Sequence, residues 1–421
     1  MPQDASIGHN TPELDLRWPE EGLTAVPDWV YTSEAIYQRE LERIFYGKTW
    51  NYVALEAEIP NPGDYKRSWV GEAPVIVTRG KDGAVNVMEN RCAHRGAEFC
   101  RSLRGNASEL ICPYHQWTYE MDGSLRAVPF RRGVKGKGGM PPEFKMSEHG
   151  LRKLNVATRN GVVFASYSDD VEPLDQYIGP EILKDFDTLF DGRKLKILGY
   201  WRNTLYGNWK LYHENLKDPY HATLLHTFLV TFGLMRAGQK SAMIADPVGR
   251  HGTMASAKGD AEEGVDQGAV NKEMRKMIEL DLEDGRVVGF VPEFKSPWSV
   301  TMQTIWPNFI TQRELNTLGV RHIVPRSPDK IDMYWTMFGY EDDSEEMTRL
   351  RLCQANLMGP AGFLGVEDNE AIKWVQEGAR RSVTDKGLTL LGGRDEGTAD
   401  TLITESAVRA LYRYYRGVMG L

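Results

Sequence analysis

Two short pairs of metal-binding residues constrain this chain more than any other feature of its sequence. Cys92 and His94 form the first pair, and Cys112 and His115 form the second. In a two-iron, two-sulfide cluster, two cysteines hold one iron and two histidines hold the other, and the neutral imidazoles raise the reduction potential. A structural zinc site also uses two Cys and two His, but zinc sites usually group Cys with Cys and His with His. The mixed pairs therefore favour an electron-transfer cluster over structural zinc.

A second set of candidate ligands lies between Asn208 and His226. His221 and His226 supply two imidazoles, and two imidazoles with one carboxylate on a single face of Fe(II) leave positions open for O₂ and an adjacent substrate. The second histidine follows the first by five positions, which places the two about 140° apart on a regular α-helix. Asp218 as N-cap and Pro219 as first helical residue indicate that a helix starts there. We therefore predict that this helix ends, or carries a π-bulge, between His221 and His226.

Hydrophobic periodicity predicts helices near both ends of the chain. One helix is expected over residues 34–45, with Thr32 or Ser33 as its cap, and another over residues 407–419. The segment 252–267, rich in Gly, Ala, Asp and Glu, is typical of a mobile loop, and a plain surface connection is the alternative.

Strand patterns dominate the middle of the chain. Turn residues at 80–83 and 122–123 predict two hairpins within a section of short alternating strands. Apolar residues at 301–324 and 331–340 predict a sheet farther along the chain. These patterns indicate a small all-β section followed by a larger section that mixes helices and strands.

Composition excludes several classes of protein. The net charge of -8 argues against a nucleic-acid partner, because phosphate binding needs clustered Lys and Arg. No apolar run approaches the roughly 18 residues of a membrane span, and the polar first residues lack the apolar core of a signal peptide. A cytoplasmic protein is therefore expected, in which the four cysteines stay reduced. Cys100 has no place in the pairs and is expected to be a packed thiol.

Both sets of metal-binding residues resemble those of the Rieske non-haem iron aromatic-ring-hydroxylating oxygenases, and the chain is similar to their large (alpha) subunits over nearly its whole length. Segments 56–60, 131–135, 208–226 and 354–362 resemble most the branch of salicylate hydroxylases and of terephthalate and anthranilate dioxygenases. The resemblance implies an α+β fold, in which a helix-grip catalytic domain has an antiparallel sheet covered by helices. The expected divisions are an N-terminal arm and helix packed on the catalytic domain (1–48), an all-β Rieske [2Fe-2S] domain (49–165) and the catalytic mononuclear iron domain (166–421).

The same resemblance assigns roles to residues around the second set of ligands. Asn215 is expected beside the iron. Asp218 is expected to hydrogen-bond His221 and to reach the cluster ligand His115 of a neighbouring subunit, which makes Asp218 an electron bridge within a ring of subunits. A carboxylate that orients a metal-bound imidazole is also expected on physical grounds. His213 departs from the family pattern, and we expect it in the pocket or the core without a metal.

The third iron ligand is expected in the acidic run from Glu367 to Glu370. By resemblance, Asp368 completes the set of two histidines and one carboxylate, and Glu367 is the fallback ligand. The alternative is that the run only stabilises the start of a helix, because acidic side chains interact favourably with helix N-termini.

The resemblance implies a terminal oxygenase that hydroxylates an aromatic carboxylate, with salicylate or a related substituted benzoate as first candidate. The alternative is a cis-dihydroxylating dioxygenase of anthranilate, terephthalate or another aromatic compound. A substrate carboxylate needs a cation. Arg321, on a predicted strand, is the candidate, and a solvated strand residue is the alternative. Met358 is expected in the pocket wall, although Met is more often core filler.

The implied cofactors are a Rieske [2Fe-2S] cluster and mononuclear Fe(II), with O₂ as co-substrate and electrons from NAD(P)H through a reductase and a ferredoxin. A small beta subunit in an alpha3beta3 hexamer is a further implied partner. Two alternatives from other classes are a pure electron carrier and a zinc-stabilised binding module. Four arginines near the cluster predict a docking patch for an acidic electron donor, or else local hydrogen bonds to loop carbonyls; these are Arg91, Arg95, Arg101 and Arg104.

Overall fold

The computed structural model describes residues 16–274 and 280–421, and its largest element is a seven-stranded sheet. Every neighbouring pair of strands in this sheet is antiparallel. From one edge to the other the strands are Leu195–Leu205, Lys330–Tyr340, Thr317–Ser327, Phe309–Glu314, Val300–Ile305, Gly252–Ala261 and Gln239–Ala245.

The described residues also form four smaller sheets, three of which lie between residues 51 and 166. The strand orders are Val85–Glu89, Ala73–Arg79, Asp64–Val70, Arg104–Asn106; then Asn155–Arg159, Val162–Ser166, Asn51–Leu55; then Leu110–Ile111, Thr118–Tyr119, Leu125–Ala127; and the pair Ala25–Pro27 with Lys386–Leu388. Both predicted hairpins are confirmed, because residues 80–83 connect two paired strands and residues 122–123 connect two others.

Helices cover the large sheet and connect its strands. The α-helices are Trp29–Thr32, Glu34–Glu40, Leu174–Ile178, Pro180–Leu189, Trp209–Asn215, Thr227–Thr231, Gln267–Glu273, Glu345–Met358, Phe363–Arg381 and Ser406–Met419; Leu41–Phe45 is a π-helix; and short 3₁₀-helices lie at Gly22–Thr24, Glu56–Glu58, Met146–Glu148, Pro219–Thr223 and Gly285–Val288. The predicted α+β class is confirmed. The division of the chain at residues 48 and 165 stays a prediction.

The two helices predicted near the chain ends are confirmed in position. Ser33, and not Thr32, caps the first, since its side chain accepts a hydrogen bond from the backbone N–H of Ile36. The last turns of that helix are π-helical. Of the predicted N-terminal arm, residues 1–15 lie outside the described residues.

The prediction of a loop over residues 252–267 is wrong for most of that segment. Gly252–Ala261 is a strand that pairs on one side with Gln239–Ala245 and on the other with Val300–Ile305. Gly and Ala have low strand propensity. Pairing with two strands that are distant in sequence outweighs that preference, because it satisfies the backbone hydrogen-bonding groups of the segment.

The helix Trp209–Asn215 contributes to the main core and contacts both the strand Thr317–Ser327 and the helix Phe363–Arg381. The side chain of Asn208 caps it by accepting a hydrogen bond from the backbone N–H of Lys210. Asn215 is the last residue of this helix, and the segment that carries the two candidate iron-binding histidines follows it.

A buried ion pair fixes this helix to the N-terminal helix. Glu40 Oε1 lies 2.7 Å from Lys210 Nζ, and both side chains are almost completely buried. Trp209 Nε1 and Tyr415 OH also donate hydrogen bonds to the Glu40 carboxylate. This carboxylate therefore neutralises the charge of Lys210 inside the core.

Replacing Glu40 by Gln is expected to lower the free energy of unfolding by about 3–5 kcal/mol, because the ammonium of Lys210 loses its counter-charge inside the core. The shift of the urea-unfolding midpoint measures the effect. Glu42→Gln, at an exposed position in the π-helix Leu41–Phe45, serves as the control. Equal midpoints for the two variants would contradict a stabilising ion pair.

Candidate functional site

His221, His226 and Asp368 come together at the start of the long helix Phe363–Arg381. Asp368 Oδ1 lies 3.1 Å from His226 Nε2 and 3.5 Å from His221 Nε2. Among the described residues this is the one group of three or more His, Cys, Asp or Glu whose donor atoms all lie within 4.8 Å of one another. The three side chains can therefore bind a common metal ion.

Local backbone structure explains how two histidines five positions apart share one site. Pro219–Thr223 is a 3₁₀-helix, and a new helix, Thr227–Thr231, starts after His226. The predicted end of the helix between the histidines is confirmed. Asp218 does precede the first of these helices, but its side chain makes no capping hydrogen bond.

Hydrogen bonds to the outer ring nitrogens orient both imidazoles. The Nδ1–H of His226 donates to Glu367 Oε2 at 2.7 Å, and the Nδ1–H of His221 donates to the backbone carbonyl of Asp218. Each Nε2 is left facing Asp368. Such bonds fix the tautomer and orientation of metal-binding histidines.

The electrostatics of the site keep Asp368 ionised. Burial alone would raise the pKa of this carboxyl, but hydrogen bonds from His221 and His226 lower the pKa well below its usual range. Asn215 Nδ2 also donates a hydrogen bond to Asp368 Oδ1 at 3.1 Å and lies 3.4 Å from His221 Nε2. Asn215 thus lies beside the site, where the sequence predicts it.

Replacing Glu367 by Gln is expected to weaken iron binding by about 10- to 100-fold, as found when the hydrogen-bond partner of a metal-binding histidine is changed. Titration of the apoprotein with Fe(II), followed by competition with a chelator, measures the affinity. Glu370→Gln is the matched control, because Glu370 is exposed on the same helix and pairs with Lys373. An iron affinity equal to that of the control would mean that Glu367 does not orient His226.

Asp218 occupies a different environment from the one predicted. Its carboxylate Oδ2 lies 3.9 Å from His221 Nδ1, and that nitrogen donates its hydrogen bond to the backbone carbonyl of Asp218 instead. Burial raises the pKa of the Asp218 carboxyl to about 7. Its Oδ1 is buried and has no hydrogen-bond partner among the described residues. The carboxylate therefore retains an unused acceptor in a groove that it lines together with His221 and Glu405.

His213 lies in the core and away from the three candidate ligands. Its Nε2–H donates to the backbone carbonyl of Pro307 at 2.7 Å, and its ring packs against Trp306 and Trp209. Burial lowers the pKa of His213 to about 3, so the ring is neutral. A structural role fits these contacts.

The four residues of the Cys–His pairs converge at a second place. Cys92 and Cys112 are buried, whereas His94 and His115 are exposed with their Nδ1 atoms 3.1 Å apart. Tyr119 OH lies 3.2 Å from Cys92 Sγ. The two thiols and the two imidazoles thus form an inner pair and an outer pair.

This geometry fits two metal ions better than one. In a tetrahedral zinc site, all four donors surround one ion at about 2.0–2.3 Å, so every donor lies close to the others. All four side chains are described, and no three of them bring their donor atoms within 4.8 Å of one another, as His221, His226 and Asp368 do. An inner cysteine pair and an outer histidine pair match the donor set of a two-iron cluster. Cys100 is buried and contributes to the hydrophobic cluster beside this site.

The four arginines near this site are all exposed, as a docking patch requires. The guanidinium of Arg104 stacks 3.8 Å from the ring centre of Tyr200. A role of Arg91, Arg95, Arg101 and Arg104 in docking stays a prediction.

A largely apolar cavity opens beside the three candidate iron ligands. Met358 lines it, at the position where the sequence predicts a pocket wall. Two polar wall residues, Ser256 and Glu314, were not singled out by sequence reasoning, and no motif marks them. The described lining comprises Asn215, Leu216, Pro219, His221, Ala222, His226, Leu229, Leu234, Met235, Met254, Ser256, Val300, Met302, Glu314, Leu315, Met358, Leu364 and Asp368.

Arg321 is absent from this described lining. It is completely buried, so the alternative of a solvated strand residue is wrong. Its Nη1–H donates to Tyr212 OH at 2.8 Å and its Nε–H donates to Gln312 Oε1 at 3.3 Å, while its guanidinium stacks on Trp335. Gln312 in turn donates a hydrogen bond to Glu314. Arg321 is thus connected to the cavity through two other side chains.

Two protein-family models match the chain. The model of the Rieske [2Fe-2S] domain matches residues 49–137, and the model of the ring hydroxylating alpha subunit (catalytic domain) matches residues 193–420.

Curated relatives are similar over almost their whole length. The chain is 50% identical to the large oxygenase component of salicylate 5-hydroxylase from Ralstonia sp, covering 96% of this chain and 97% of that protein. It is 44% identical to the large subunit of anthranilate 1,2-dioxygenase from Burkholderia cepacia, covering 96% of each. It is 38% identical to the terminal oxygenase component subunit alpha 2 of terephthalate 1,2-dioxygenase from Comamonas sp, covering 97% and 98%.

Solved structures support the fold. Naphthalene 1,2-dioxygenase from Rhodococcus sp. bound to indole superposes with a TM-score of 0.78, covering 95% of this chain and 96% of that one at 24% identity. At that identity the likeness concerns the fold alone. None of the helices in the described residues combines the length and apolar character needed to cross a membrane.

Proposed function

Because the chain belongs to the ring-hydroxylating oxygenase alpha subunits that carry a Rieske [2Fe-2S] domain, we propose that it is the catalytic subunit of an oxygenase acting on an aromatic carboxylate. The enzyme class and the two cofactors, a Rieske cluster and a mononuclear non-haem iron, follow from family membership. The observation that carries the substrate proposal is the largely apolar cavity that opens directly on His221, His226 and Asp368.

The mononuclear iron would be held by His221, His226 and Asp368. Two neutral imidazoles and one carboxylate are the donor set of non-haem iron oxygenases. Asp368 is ionised, and both histidines direct Nε2 toward it, so the three donor groups already converge, and iron binding would displace the protons that the imidazoles share with Asp368. When bound, the iron supplies the O₂ activation that no amino-acid side chain can perform.

The cluster would be held by Cys92, Cys112, His94 and His115. Burial of the thiols and exposure of the imidazoles support an arrangement in which the histidine side of the cluster would lie at the surface, where an electron can leave or arrive. Tyr119 supports this site by placing its hydroxyl against Cys92 Sγ and the backbone N–H of Ala93.

The cavity itself positions the substrate and excludes water. Leucine and methionine side chains surround the space in which an aromatic ring would lie, among them Leu229, Leu234, Met302 and Met358. Holding a ring within reach of the reacting centre supplies part of the rate enhancement, because the reaction then needs no further orientation.

Asp218 is proposed to connect the two sites of neighbouring subunits. The Asp218 side chain is 29% exposed in the groove, which supports this role, since a carboxylate that can be reached from outside can accept a hydrogen bond from a donor on another chain. The proposed donor is the exposed His115 of a second copy, in a three-fold ring that a small beta subunit completes as an alpha3beta3 hexamer. Electrons would come from a ferredoxin and a reductase, docked at the exposed arginines near the cluster.

Salicylate or a related substituted benzoate is proposed as substrate, because the relative at 50% identity acts on salicylate. Dihydroxylation of anthranilate or of terephthalate is the second candidate, supported by the relatives at 44% and 38% identity. The predicted role of Arg321 for the substrate carboxylate remains a proposal, and its guanidinium is buried outside the described lining of the cavity.

Metal analysis and a substrate screen test the function together. The purified protein is expected to be red-brown, with about two cluster irons, two acid-labile sulfides and one further iron per chain. Hydroxybenzoates, aminobenzoates and phthalates are supplied with O₂ and a reducing system, and the products are identified. A colourless zinc protein would refute the oxygenase, and iron in the cluster alone would leave an electron carrier.

A further inference from the structure

The cavity wall contains two polar side chains besides the candidate iron ligands and Asn215, as far as the described lining extends. They are Glu314 and Ser256, and both lie on the large sheet. Ser256 is directly opposite Val300, and Val300 is directly opposite Glu314, so the three residues form one row across three neighbouring strands. Residues directly opposite each other in a sheet project to the same face. Glu314 and Ser256 therefore form a polar row on an otherwise apolar surface.

A chain of hydrogen bonds holds one oxygen of the Glu314 carboxylate. Arg321 donates to Gln312 Oε1 at 3.3 Å, and Gln312 Nε2 donates to Glu314 Oε2. The sheet register explains the order of these hydrogen bonds. Arg321 is directly opposite Ile310, and Gln312 lies between Ile310 and Glu314 on the same strand. No described residue donates a hydrogen bond to the other oxygen, Oε1, of Glu314. One carboxylate oxygen is thus fixed by the protein, and the second is available to the cavity.

Resting on the proposed function, we infer that Glu314 determines substrate specificity by accepting a hydrogen bond from a hydroxyl or amino substituent on the aromatic acid. The carboxylate is 4% exposed and its only described hydrogen-bond donor is Gln312. A buried acceptor without a donor is costly, so the site favours substrates that supply one. Hydroxybenzoates and aminobenzoates carry such a group, whereas benzoate and the phthalates do not.

Glu314 is suited to this role because it cannot move freely. Its position in the strand Phe309–Glu314 is fixed by pairing on both sides, with Val300 and with Thr317. The hydrogen bond from Gln312 holds the carboxylate in place. A site built to bind a hydroxyl or amino group rejects the analogue that lacks it, because the polar group of the protein is then left unpaired.

The test compares three forms of the iron-loaded holoenzyme: wild type, Glu314→Met and Glu314→Gln. Met has nearly the same length as Glu but accepts no comparable hydrogen bond, whereas Gln keeps a carbonyl acceptor. Dissociation constants by calorimetry and kcat/KM with product identification are measured for salicylate, anthranilate and benzoate.

Glu314→Met is expected to reduce the preference for salicylate or anthranilate over benzoate by about tenfold or more, because the substituent loses its acceptor and benzoate no longer leaves a buried carboxylate unpaired. Glu314→Gln is expected to retain most of that preference. A general structural defect would instead weaken all three acids equally. An unchanged preference in Glu314→Met, or an equal loss for all three acids in both variants, would overturn the inference. If wild type binds and oxidises none of the acids, the proposed function itself fails.

Discussion

Replacing His226 by Ala is expected to remove the mononuclear iron and to reduce product formation by at least about a thousandfold, because the metal loses one of its three protein ligands. His226 is almost completely buried, and its Nε2 lies 3.1 Å from Asp368 Oδ1. No other described His, Cys, Asp or Glu completes a comparable set with His221 and Asp368. The proposed cluster is held by other residues, between Cys92 and His115, so the variant should keep the red-brown absorption of the cluster.

Iron analysis, acid-labile sulfide and product formation from an aromatic acid measure this effect on the same sample. His149→Ala is the control, because His149 stacks on Phe144 outside both proposed metal sites. The control should keep about two cluster irons and one further iron per chain. If His226→Ala held as much iron as His149→Ala and formed product at a similar rate, the assignment of His226 as a ligand would be refuted.

Sequence reasoning worked where the constraint was local. The angle between His221 and His226 on a helix follows from elementary geometry, and the 3₁₀-helix Pro219–Thr223 ends where that geometry requires. The capping residue of the first helix and the two hairpins are likewise determined by neighbouring residues. Family membership, recognised from the two sets of metal-binding residues, is confirmed by both family models.

Sequence reasoning failed where strand pairing decided the outcome. The strand Phe309–Glu314 is buried at all six positions, so no alternation of polar and apolar residues distinguishes its cavity face. Glu314 therefore gave no signal, although it lines the cavity. The positive charge of Arg321 makes it the candidate for binding the substrate carboxylate. The strand register, however, places Arg321 opposite Ile310, where it donates hydrogen bonds to Tyr212 and Gln312. Only the paired sheet reveals which polar residues line the cavity.

Replacing Asp218 by Asn is expected to slow electron transfer between the two metal sites by at least about a hundredfold, while both sites keep their iron. The amide has the shape of the carboxylate, but one of its two acceptor atoms becomes a donor. An Asp218 carboxylate that accepts from His115 of a neighbouring copy would be replaced by a neutral amide with a single acceptor atom, which binds the imidazole N–H more weakly. Stopped-flow absorption follows the reduced cluster as it is reoxidised in the presence of O₂ and an aromatic acid.

Asp28→Asn provides the matched control, because Asp28 lines the same groove as Asp218 but is not in contact with either histidine ligand. The control should reoxidise its cluster at the wild-type rate. Loss of iron from Asp218→Asn would indicate that Asp218 mainly orients the candidate ligand His221, which hydrogen-bonds its backbone carbonyl. Full iron content with reoxidation as fast as in the control would exclude Asp218 as the bridge. In that case the buried, unpaired Oδ1 would need a donor other than a neighbouring cluster ligand.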